Sequence, residues 1–200
     1  LSENNDKYIY YKTDHHQTTY GSYLVYTALS DALGFTPYPV KDFEVKTLSK
    51  DFCGTTWSKA LIGSEKDIIE AYEYKGGLTY KVNYEDNQSN SLYFDEYLKT
   101  KDKYSVFLGT IQPLTVIESS CGSGRSIAVI KDSYAHSITP FLANHFDSVH
   151  LIDLRYYNDD IFEYLTKNDI TDVLFLYNSS GFITDEGISK LSAFADSSPY

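Results

Sequence analysis

Residues Ser126-Ile127-Ala128-Val129-Ile130 form an uninterrupted apolar run, which is typical of a β-strand that is buried on both faces. Strands and helices alternate after this run, with further strands at 148–154 and 172–177 and helices at 135–146, 160–167 and 185–195. A β-α-β-α-β-α order of this kind predicts parallel strands that are joined by right-handed crossovers. The fold class that we expect is therefore α/β, with a mostly parallel sheet.

Ligands of open α/β sheets bind beside the carboxyl ends of the parallel strands. In this sequence those ends are 131–133, 155–157 and 178–180. Ser133 lies where the first strand passes into a helix, so its hydroxyl could act as a nucleophile while backbone N–H groups stabilise an oxyanion. The alternative is that Ser133 caps the following helix, which is a common role of serine.

The preceding part of the chain divides into an N-terminal stretch and an irregular middle stretch. The first contains a short strand at 8–11 and a helix at 20–33, with Thr18 or Thr19 as N-cap and Gly34 at its end. The middle stretch, 37–120, contains β-like runs at 79–84, 104–108 and 114–117 and a short helix at 65–72. We interpret it as a β-rich antiparallel excursion that shapes a site or covers the sheet, within a single domain of residues 1–200.

A polar segment, Asp14-His15-His16, lies ahead of the predicted helix at 20–33. In extended backbone the side chains of Asp14 and His16 point to the same side, so that Asp14 can orient the imidazole of His16, and His15 points away. The alternatives are a solvated polar loop or a metal site. A metal site needs more ligands, and the other histidines, His136, His145 and His150, are scattered without ligand spacing, so we predict no metal.

Composition restricts the classes of partner. The formal net charge is −11, which argues against binding to nucleic acid or to an anionic membrane surface. No apolar run reaches the length of a transmembrane helix, and no signal peptide is present, so we expect a mature fragment without membrane insertion.

Cys53 and Cys121 fit either one disulfide or two free thiols. The 20 tyrosines offer faces for sugar stacking, although half-buried sheet positions are the favoured interpretation.

The sequence also resembles a known family in separated blocks over most of its length. The blocks are Tyr10-Tyr11-Lys12-Thr13-Asp14-His15-His16, Lys131-Asp132-Ser133-Tyr134-Ala135-His136 and Ile152-Asp153-Leu154-Arg155-Tyr156-Tyr157, and they resemble the DHHW protein family. That family is similar to the SGNH hydrolases and to alginate-type O-acetyltransferases with an Asp-x-His motif. The DHH phosphoesterases share three letters but need several more metal-binding aspartates, so we reject that match.

The resemblance implies a three-layer α/β/α sheet like that of the SGNH hydrolases, and a Ser-His-Asp triad. Asp14 maps to the orienting acid, His16 to the base and Ser133 to the nucleophile. Asn178, with the backbone N–H of Ser133 or Tyr134, maps to the donors that hold the oxyanion. Arg155 either holds an anionic group of the substrate or forms a structural salt bridge.

Two departures from the family pattern bear on activity. Gln17 stands where the family name has Trp, which removes an aromatic surface for packing or stacking. Asp132-Ser133 also lacks the preceding glycine of Gly-Asp-Ser, and the residues after Asn178 differ from the usual Gly-x-Asn-Asp.

The function that we expect is an extracellular or cell-surface serine esterase or O-acetyltransferase that acts on acyl groups of a glycan. Its substrate is a carbohydrate or an acylated small molecule, with a membrane-bound acyl donor as a further partner for a transferase and no cofactor. The rival interpretation is a non-catalytic surface protein that binds a glycan or a partner on the same scaffold, because a fold does not by itself imply a function.

Overall fold

The computed structural model describes residue 4 and residues 6–60 and 65–191. The chain forms two compact units that alternate along the sequence. The first unit comprises Leu1–Leu78, Ser91–Thr110 and His136–Asn144, and the second comprises Thr79–Asn90, Ile111–Ala135 and His145–Tyr200. The single domain expected for residues 1–200 stays a prediction.

The long helix of the first unit, α1 (Thr19–Leu33), begins and ends where the sequence predicts. Thr18 is the N-cap, and its side-chain oxygen accepts a hydrogen bond from the backbone N–H of Gly21 at 3.1 Å. Gly34 ends the helix in the left-handed conformation with φ of 65°, which glycine adopts without strain.

The remaining elements of the first unit are β1 (Phe43–Phe52), α2 (Thr55–Ala60), β2 (Asp67–Tyr74) and α3 (Thr139–Leu142). β1 and β2 pair as an antiparallel two-stranded sheet. The helix predicted at 65–72 is wrong, because Asp67, Ile69 and Ala71 are buried at every second position, as in a strand.

Three other local predictions in the first unit are also wrong. The predicted strand at 8–11 is a single bridge between Tyr10 and Gln17, and the predicted strand at 104–108 is a 3₁₀ turn over Lys103–Val106. The predicted helix at 135–146 is reduced to α3, because Pro140 lies in its first turn and has no N–H to donate to a preceding turn.

Aromatic side chains form the centre of the first unit. The ring of Phe141 lies 5.3 Å from Tyr26, 5.4 Å from Phe43 and 5.8 Å from Tyr23 and Tyr72, measured between centroids. Such spacings are typical of stacked and edge-to-face aromatic packing. These tyrosines therefore belong to the core rather than to an exposed sugar-binding face.

The second unit is built on a six-stranded sheet. Its strands are β3 (Tyr80–Tyr84), β4 (Asn87–Ser89), β5 (Leu114–Ser119), β6 (Ser126–Lys131), β7 (Ser148–Ile152) and β8 (Asp172–Leu176), in the order β4-β3-β5-β7-β6-β8. β6 pairs in parallel with both β7 and β8, which confirms the three strands that begin at Ser126, Ser148 and Asp172. Residues Ile127 to Ile130 are fully buried, as expected for a central strand.

The sheet is mixed, however, and the prediction of a mostly parallel sheet is wrong. The pairs β3–β4, β3–β5 and β5–β7 are all antiparallel. The strands at 79–84 and 114–117, which we expected in an excursion outside the sheet, are β3 and β5 and belong to it. β5 is hydrogen-bonded to β7 and β3 to β5, which places both strands in this sheet, and the period of a strand does not reveal its partner. The mixed α/β class is confirmed, and the three-layer arrangement stays a prediction.

Helices of the second unit are short. α4 (Ile161–Lys167) is confirmed, and its N-cap Asp160 accepts hydrogen bonds from the N–H groups of Phe162 and Glu163. α5 (Ser179–Thr184) follows β8. The helix predicted at 185–195 begins as a 3₁₀ turn over Glu186–Ser189, residues 190 and 191 are helical, and 192–195 lie outside the described residues. Within the described ranges, no helix is long and apolar enough to cross a membrane.

One core cluster of the second unit lies where β6 and β7 lead into α4. Its buried members are Ala128, Ile130, Ile152, Leu154, Tyr157 and Ile161. Burial of such apolar side chains is the main favourable term in folding. The cluster fixes the carboxyl ends of the two strands, at which polar residues follow.

Candidate functional site

The backbone ahead of Asp14 is held by one buried carboxylate, that of Asp67 at the start of β2. Asp67 is 2% exposed and accepts hydrogen bonds from the backbone N–H groups of Lys12 at 3.0 Å and Thr13 at 2.7 Å. The hydroxyl groups of Thr13 and Tyr8 donate to the same carboxylate. The loop that carries Asp14 is thereby fixed to the two-stranded sheet of the first unit.

Asp14 and His16 form a buried hydrogen-bonded pair. Oδ1 of Asp14 lies 2.5 Å from Nδ1 of His16 and also accepts the backbone N–H of His16 at 3.0 Å. Oδ2 accepts from the backbone N–H of Thr55 at 2.8 Å and from the Thr55 hydroxyl at 3.0 Å. Both oxygens of the carboxylate are therefore engaged, and its orientation toward the imidazole is fixed.

The carboxylate of Asp14 is held in its ionised form beside the imidazole. Burial alone would raise the pKa of Asp14, but the hydrogen bond and charge of His16 and the backbone N–H groups of Thr55 and His16 together hold that pKa well below its usual range. An ionised Asp14 accepts the proton on Nδ1 of His16. The other ring nitrogen, Nε2, is then the atom that can take a proton from a substrate or a nucleophile.

Gly54 permits the close approach of the backbone to Asp14. A Cβ at this position would lie 2.2 Å from Oδ2 and 2.3 Å from Cβ of Asp14, which no side chain tolerates. Glycine at the end of the loop before α2 is thus what allows the N–H of Thr55 to reach the carboxylate.

The imidazole of His16 lies between two other rings. Tyr104 stacks on it with centroids 3.8 Å apart and an interplanar angle of 8°, and His15 packs at 3.9 Å with an angle of 38°. The expectation that His15 points away is therefore wrong. Nδ1 of His15 lies 2.7 Å from the hydroxyl of Thr55. This contact with a residue distant in sequence holds the ring of His15 beside His16.

Gln17 occupies an interior position beside this stack. It is 2% exposed, and its Nε2 donates to the hydroxyl of Ser137 at 3.2 Å. The same hydroxyl lies 2.9 Å from the Tyr104 hydroxyl and 2.8 Å from that of Ser22. Gln17 supports a buried polar network, and the aromatic surface next to His16 comes from Tyr104, a residue distant in sequence.

Ser133 belongs to the second unit and begins a 3₁₀ turn, Ser133–Ala135, directly after β6. The preceding residue, Asp132, is 4% exposed and organises this corner. It accepts hydrogen bonds from the backbone N–H of Tyr134 at 2.9 Å and from the backbone N–H of Asn178 at 2.9 Å. The structure thus joins the carboxyl ends of β6 and β8 through Asp132.

Two of the expected oxyanion donors have partners within this corner. The backbone N–H of Tyr134 donates to Asp132, and its role as an oxyanion donor stays a prediction. Nδ2 of Asn178 lies 2.5 Å from Oδ2 of Asp132, and Oδ1 of Asn178 accepts the N–H of Gly181 at 2.8 Å. An amide nitrogen carries two hydrogens, so Asn178 retains one for another acceptor.

Arg155 forms the structural salt bridge that was the alternative to substrate binding. Its Nε and one terminal nitrogen lie 2.8 Å and 2.6 Å from the two oxygens of Asp153, which is fully buried. Nζ of Lys131 lies 3.4 Å from Oδ2 of Asp153, an oxygen that Arg155 also contacts. Burial lowers the pKa of Lys131 although the charge of Asp153 opposes this. The substrate-binding role of Arg155 is accordingly not part of the function proposed below.

Ligand-type atoms of Asp14, His15 and His16 lie within 4.8 Å of one another, so these side chains could in principle hold a metal ion. The hydrogen bonds of both Asp14 oxygens favour the acid–base pair instead.

Cys53 and Cys121 are free thiols.

Sequence reasoning missed several residues that define this site. Tyr104, Thr55, Gly54 and Asp67 lie far from Asp14 along the chain and carry no motif. Asp132 had a signal, because an acidic residue at the end of an apolar strand is buried and must find hydrogen-bond donors.

Solved structures with a similar fold were found in two organisms. A DHHW family protein from Eubacterium siraeum DSM 15702 has 24% sequence identity and a TM-score of 0.84, with 94% of this chain and 65% of that chain covered. Bacillus cereus PatB1 has 22% identity and a TM-score of 0.72, covering 90% of this chain and 65% of the other. PatB1 with a sulfonyl adduct gives 23% identity and a TM-score of 0.70, covering 90% and 63%.

This chain thus spans about two thirds of the length of each of these proteins. The search of curated proteins found no match to this chain. The family model described as DHHW protein matches residues 1–152, which is most of the sequence and includes Asp14, His16 and Ser133, and the chain therefore belongs to the DHHW protein family.

Proposed function

We propose that this chain is the SGNH-like part of a serine esterase or O-acetyltransferase that acts on acyl groups of an extracellular or cell-surface glycan. The observation that carries the proposal is the buried Asp14–His16 pair, with Nδ1 and Oδ1 2.5 Å apart. A carboxylate that orients a histidine in this way is the acid–base half of a nucleophilic triad. Ser133, at the carboxyl end of β6, is the proposed nucleophile.

In the proposed reaction, Nε2 of His16 takes the proton of the Ser133 hydroxyl as its oxygen attacks the acyl carbonyl. The tetrahedral oxyanion is held by the backbone N–H of Ser133 and by the second hydrogen of Nδ2 of Asn178. When the intermediate collapses, His16 returns the proton to the leaving oxygen and an acyl-serine remains. Water or a sugar hydroxyl then attacks this ester, with His16 again taking and returning the proton, and Ser133 is regenerated.

The PatB1 structure with a sulfonyl adduct supports a nucleophilic mechanism for proteins of this fold. A sulfonyl adduct forms when a nucleophile displaces a leaving group at sulfur. Serine is a weak nucleophile unless a neighbouring base removes its proton. The adduct in a protein with this fold is therefore consistent with an activated side chain, and Ser133 is our candidate in this chain.

The experiment that tests the proposal is covalent labelling with phenylmethylsulfonyl fluoride, followed by peptide mass spectrometry. We expect one sulfonyl group on the peptide that contains Ser133, with loss of labelling in Ser133→Ala and strongly slowed labelling in His16→Ala. Turnover of p-nitrophenyl acetate should fall to background in both variants. Ser180→Ala, an exposed serine of α5, is the matched control and should retain labelling and turnover.

Labelling of another residue would show that the nucleophile is wrong, whereas labelling of Ser133 that is indifferent to His16 would show that the base is wrong. Absence of both labelling and turnover in a folded protein would favour the rival function, a non-catalytic protein that binds a glycan or a partner. The full burial of Tyr26 against Phe141 removes part of the support for that rival, since this ring is not available for stacking on a sugar.

A further inference from the structure

A small cavity of about 280 Å³ in the first unit has a wall made largely of aromatic rings. Tyr8, Tyr20 and Tyr72 line it, together with Ile68 and Glu70 of β2. Tyr8 and Ile68 are 42% and 43% exposed, so the cavity opens to solvent. Its volume lies near the lower limit for small-molecule sites, which suits a compact chemical group rather than a long chain.

The charge of the cavity comes from Glu70. Within the part of the chain that the structure describes, no lysine or arginine forms a salt bridge with Glu70, whereas the next acidic residue of β2, Glu73, lies 2.5 Å from Nζ of Lys46. Burial first, and then the charge of Glu70, raise the pKa of Tyr72 to about 12, so this ring stays neutral and its π face stays intact at physiological pH. A carboxylate beside neutral aromatic faces attracts a cation through both groups.

Two of the hydroxyl groups that line the cavity already donate hydrogen bonds within the chain. The hydroxyl of Thr18 donates to the backbone oxygen of Tyr8 at 2.8 Å, and that of Thr19 donates to the backbone oxygen of Glu70 at 2.6 Å. Sugar recognition requires several directed hydrogen bonds, and burying unpaired hydroxyl groups is costly. A cation requires only the charge and the ring faces.

A cation of the chain itself lies beside Tyr20. Nζ of Lys7 lies 3.2 Å from the hydroxyl of Tyr20 and 5.6 Å from the centroid of its ring. These two distances place the ammonium group beyond the hydroxyl and near the plane of the ring, where it donates a hydrogen bond to the hydroxyl. The edge of the cavity at Tyr20 therefore accommodates a positive charge.

We propose that the cavity lined by Tyr8, Tyr20, Tyr72 and Glu70 binds a small organic cation, an ammonium group with an apolar body of a few carbon atoms. The tyrosine rings contact the apolar body and the positive charge, and Glu70 supplies the counter-charge. This binding site is separate from the acyl-transfer chemistry proposed above, and neither requires the other.

The test is an NMR titration of amide chemical shifts with choline chloride and with 3,3-dimethylbutan-1-ol, which has the same shape but no charge. At constant ionic strength we expect choline to shift the amides of residues 18–20 and 68–72 and to bind about five- to thirtyfold more tightly than the neutral alcohol. Glucose, as a third probe, should leave these amides unchanged.

Variants locate the effect. Glu70→Gln, which preserves size, should weaken choline binding about fivefold or more, and Tyr20→Leu should weaken it similarly by removing one ring. Glu73→Gln removes the same charge from the same strand outside the cavity and should leave the affinity unchanged. Equal binding of choline and the neutral alcohol, glucose binding as strong as that of choline, or equal losses in Glu70→Gln and Glu73→Gln would each overturn the proposal, as would no shifts at residues 18–20 and 68–72.

Discussion

Gly54 packs so closely against Asp14 that any side chain at this position must displace the carboxylate. We expect Gly54→Ala to lower the free energy of unfolding by about 1–3 kcal/mol, because overpacking a buried contact forces neighbouring atoms to move. The displaced carboxylate should also reduce the kcat/KM for p-nitrophenyl acetate by about tenfold or more, since it no longer orients His16. Urea unfolding and steady-state kinetics measure the two effects.

Gly77→Ala is the control for that prediction. Gly77 is exposed, has a φ of 73° and has no atom within 4 Å of the position that a Cβ would occupy. Alanine there should cost stability through backbone strain, by about 1 kcal/mol, while the activity of the folded protein stays unchanged. If Gly54→Ala kept full activity, the close contact with Asp14 would not matter for the reaction.

Tyr104 offers a second test at the level of single residues. Tyr104→Phe retains the ring that stacks on His16 and loses the hydroxyl contact to Ser137, which keeps hydrogen bonds to Gln17 and Ser22. We expect a loss of about 1 kcal/mol in stability with little change in kcat/KM for p-nitrophenyl acetate. Tyr104→Leu removes the ring that positions the imidazole, and we expect a lower kcat/KM. Equal kcat/KM values for the two variants would show that the stack has no influence on His16.

Among the elements, β2 is connected to the loop before Asp14 through its first residue, Asp67. Asp67 accepts four hydrogen bonds from Tyr8, Lys12 and Thr13, so a neutral amide there would place a donor opposite other donors. We expect Asp67→Asn to lower the free energy of unfolding by about 2–4 kcal/mol and to increase amide hydrogen exchange at residues 12–16.

Asp51→Asn is a suitable comparison for Asp67→Asn. The side chain of Asp51 is 58% exposed and pairs with Lys103 at the surface. Exposed ion pairs contribute little, so its loss should cost much less stability than Asp67→Asn and leave exchange at residues 12–16 unchanged. Similar losses in the two variants would mean that the position of Asp67 at the loop has no special importance.

For the whole molecule, the histidines of the second unit make stability depend on pH. His150 is 5% exposed, lies between the hydroxyls of Ser148 and Tyr164, and has its pKa lowered to about 4 by burial, against the opposing charge of Glu118. Burial and the charge of Arg125 also lower the pKa of His145 to about 4. Because an unfolded histidine has a pKa of about 6.5, the unfolded chain takes up the proton first as the pH falls.

The contribution of these histidines to stability is therefore complete above about pH 6.5 and is lost as the pH falls from there toward about 4. We expect Tm to fall by roughly 4 °C or more between about pH 7.5 and about pH 5. His150→Gln, which cannot be protonated, should reduce this difference, as measured by differential scanning calorimetry. An unchanged pH dependence in the variant would exclude His150 as a source of it.

The sequence by itself determined the features that depend on neighbouring residues. The capped helix α1, the three strands that begin at Ser126, Ser148 and Asp172, and the same-side placement of Asp14 and His16 all follow from local periodicity and cap chemistry. These features are set by contacts over a few residues, so a pattern in the sequence is enough to predict them.

Only the tertiary structure decided which strands pair and what surrounds Asp14. The antiparallel attachment of β3 and β5 to the sheet, and the positions of Gly54, Asp67 and Tyr104 around the pair, depend on contacts between residues many positions apart. A strand has the same period whichever neighbour it pairs with, and a tyrosine or glycine has no local signal of its distant contact. The free energy that selects these contacts comes from burial and hydrogen bonding in the folded chain.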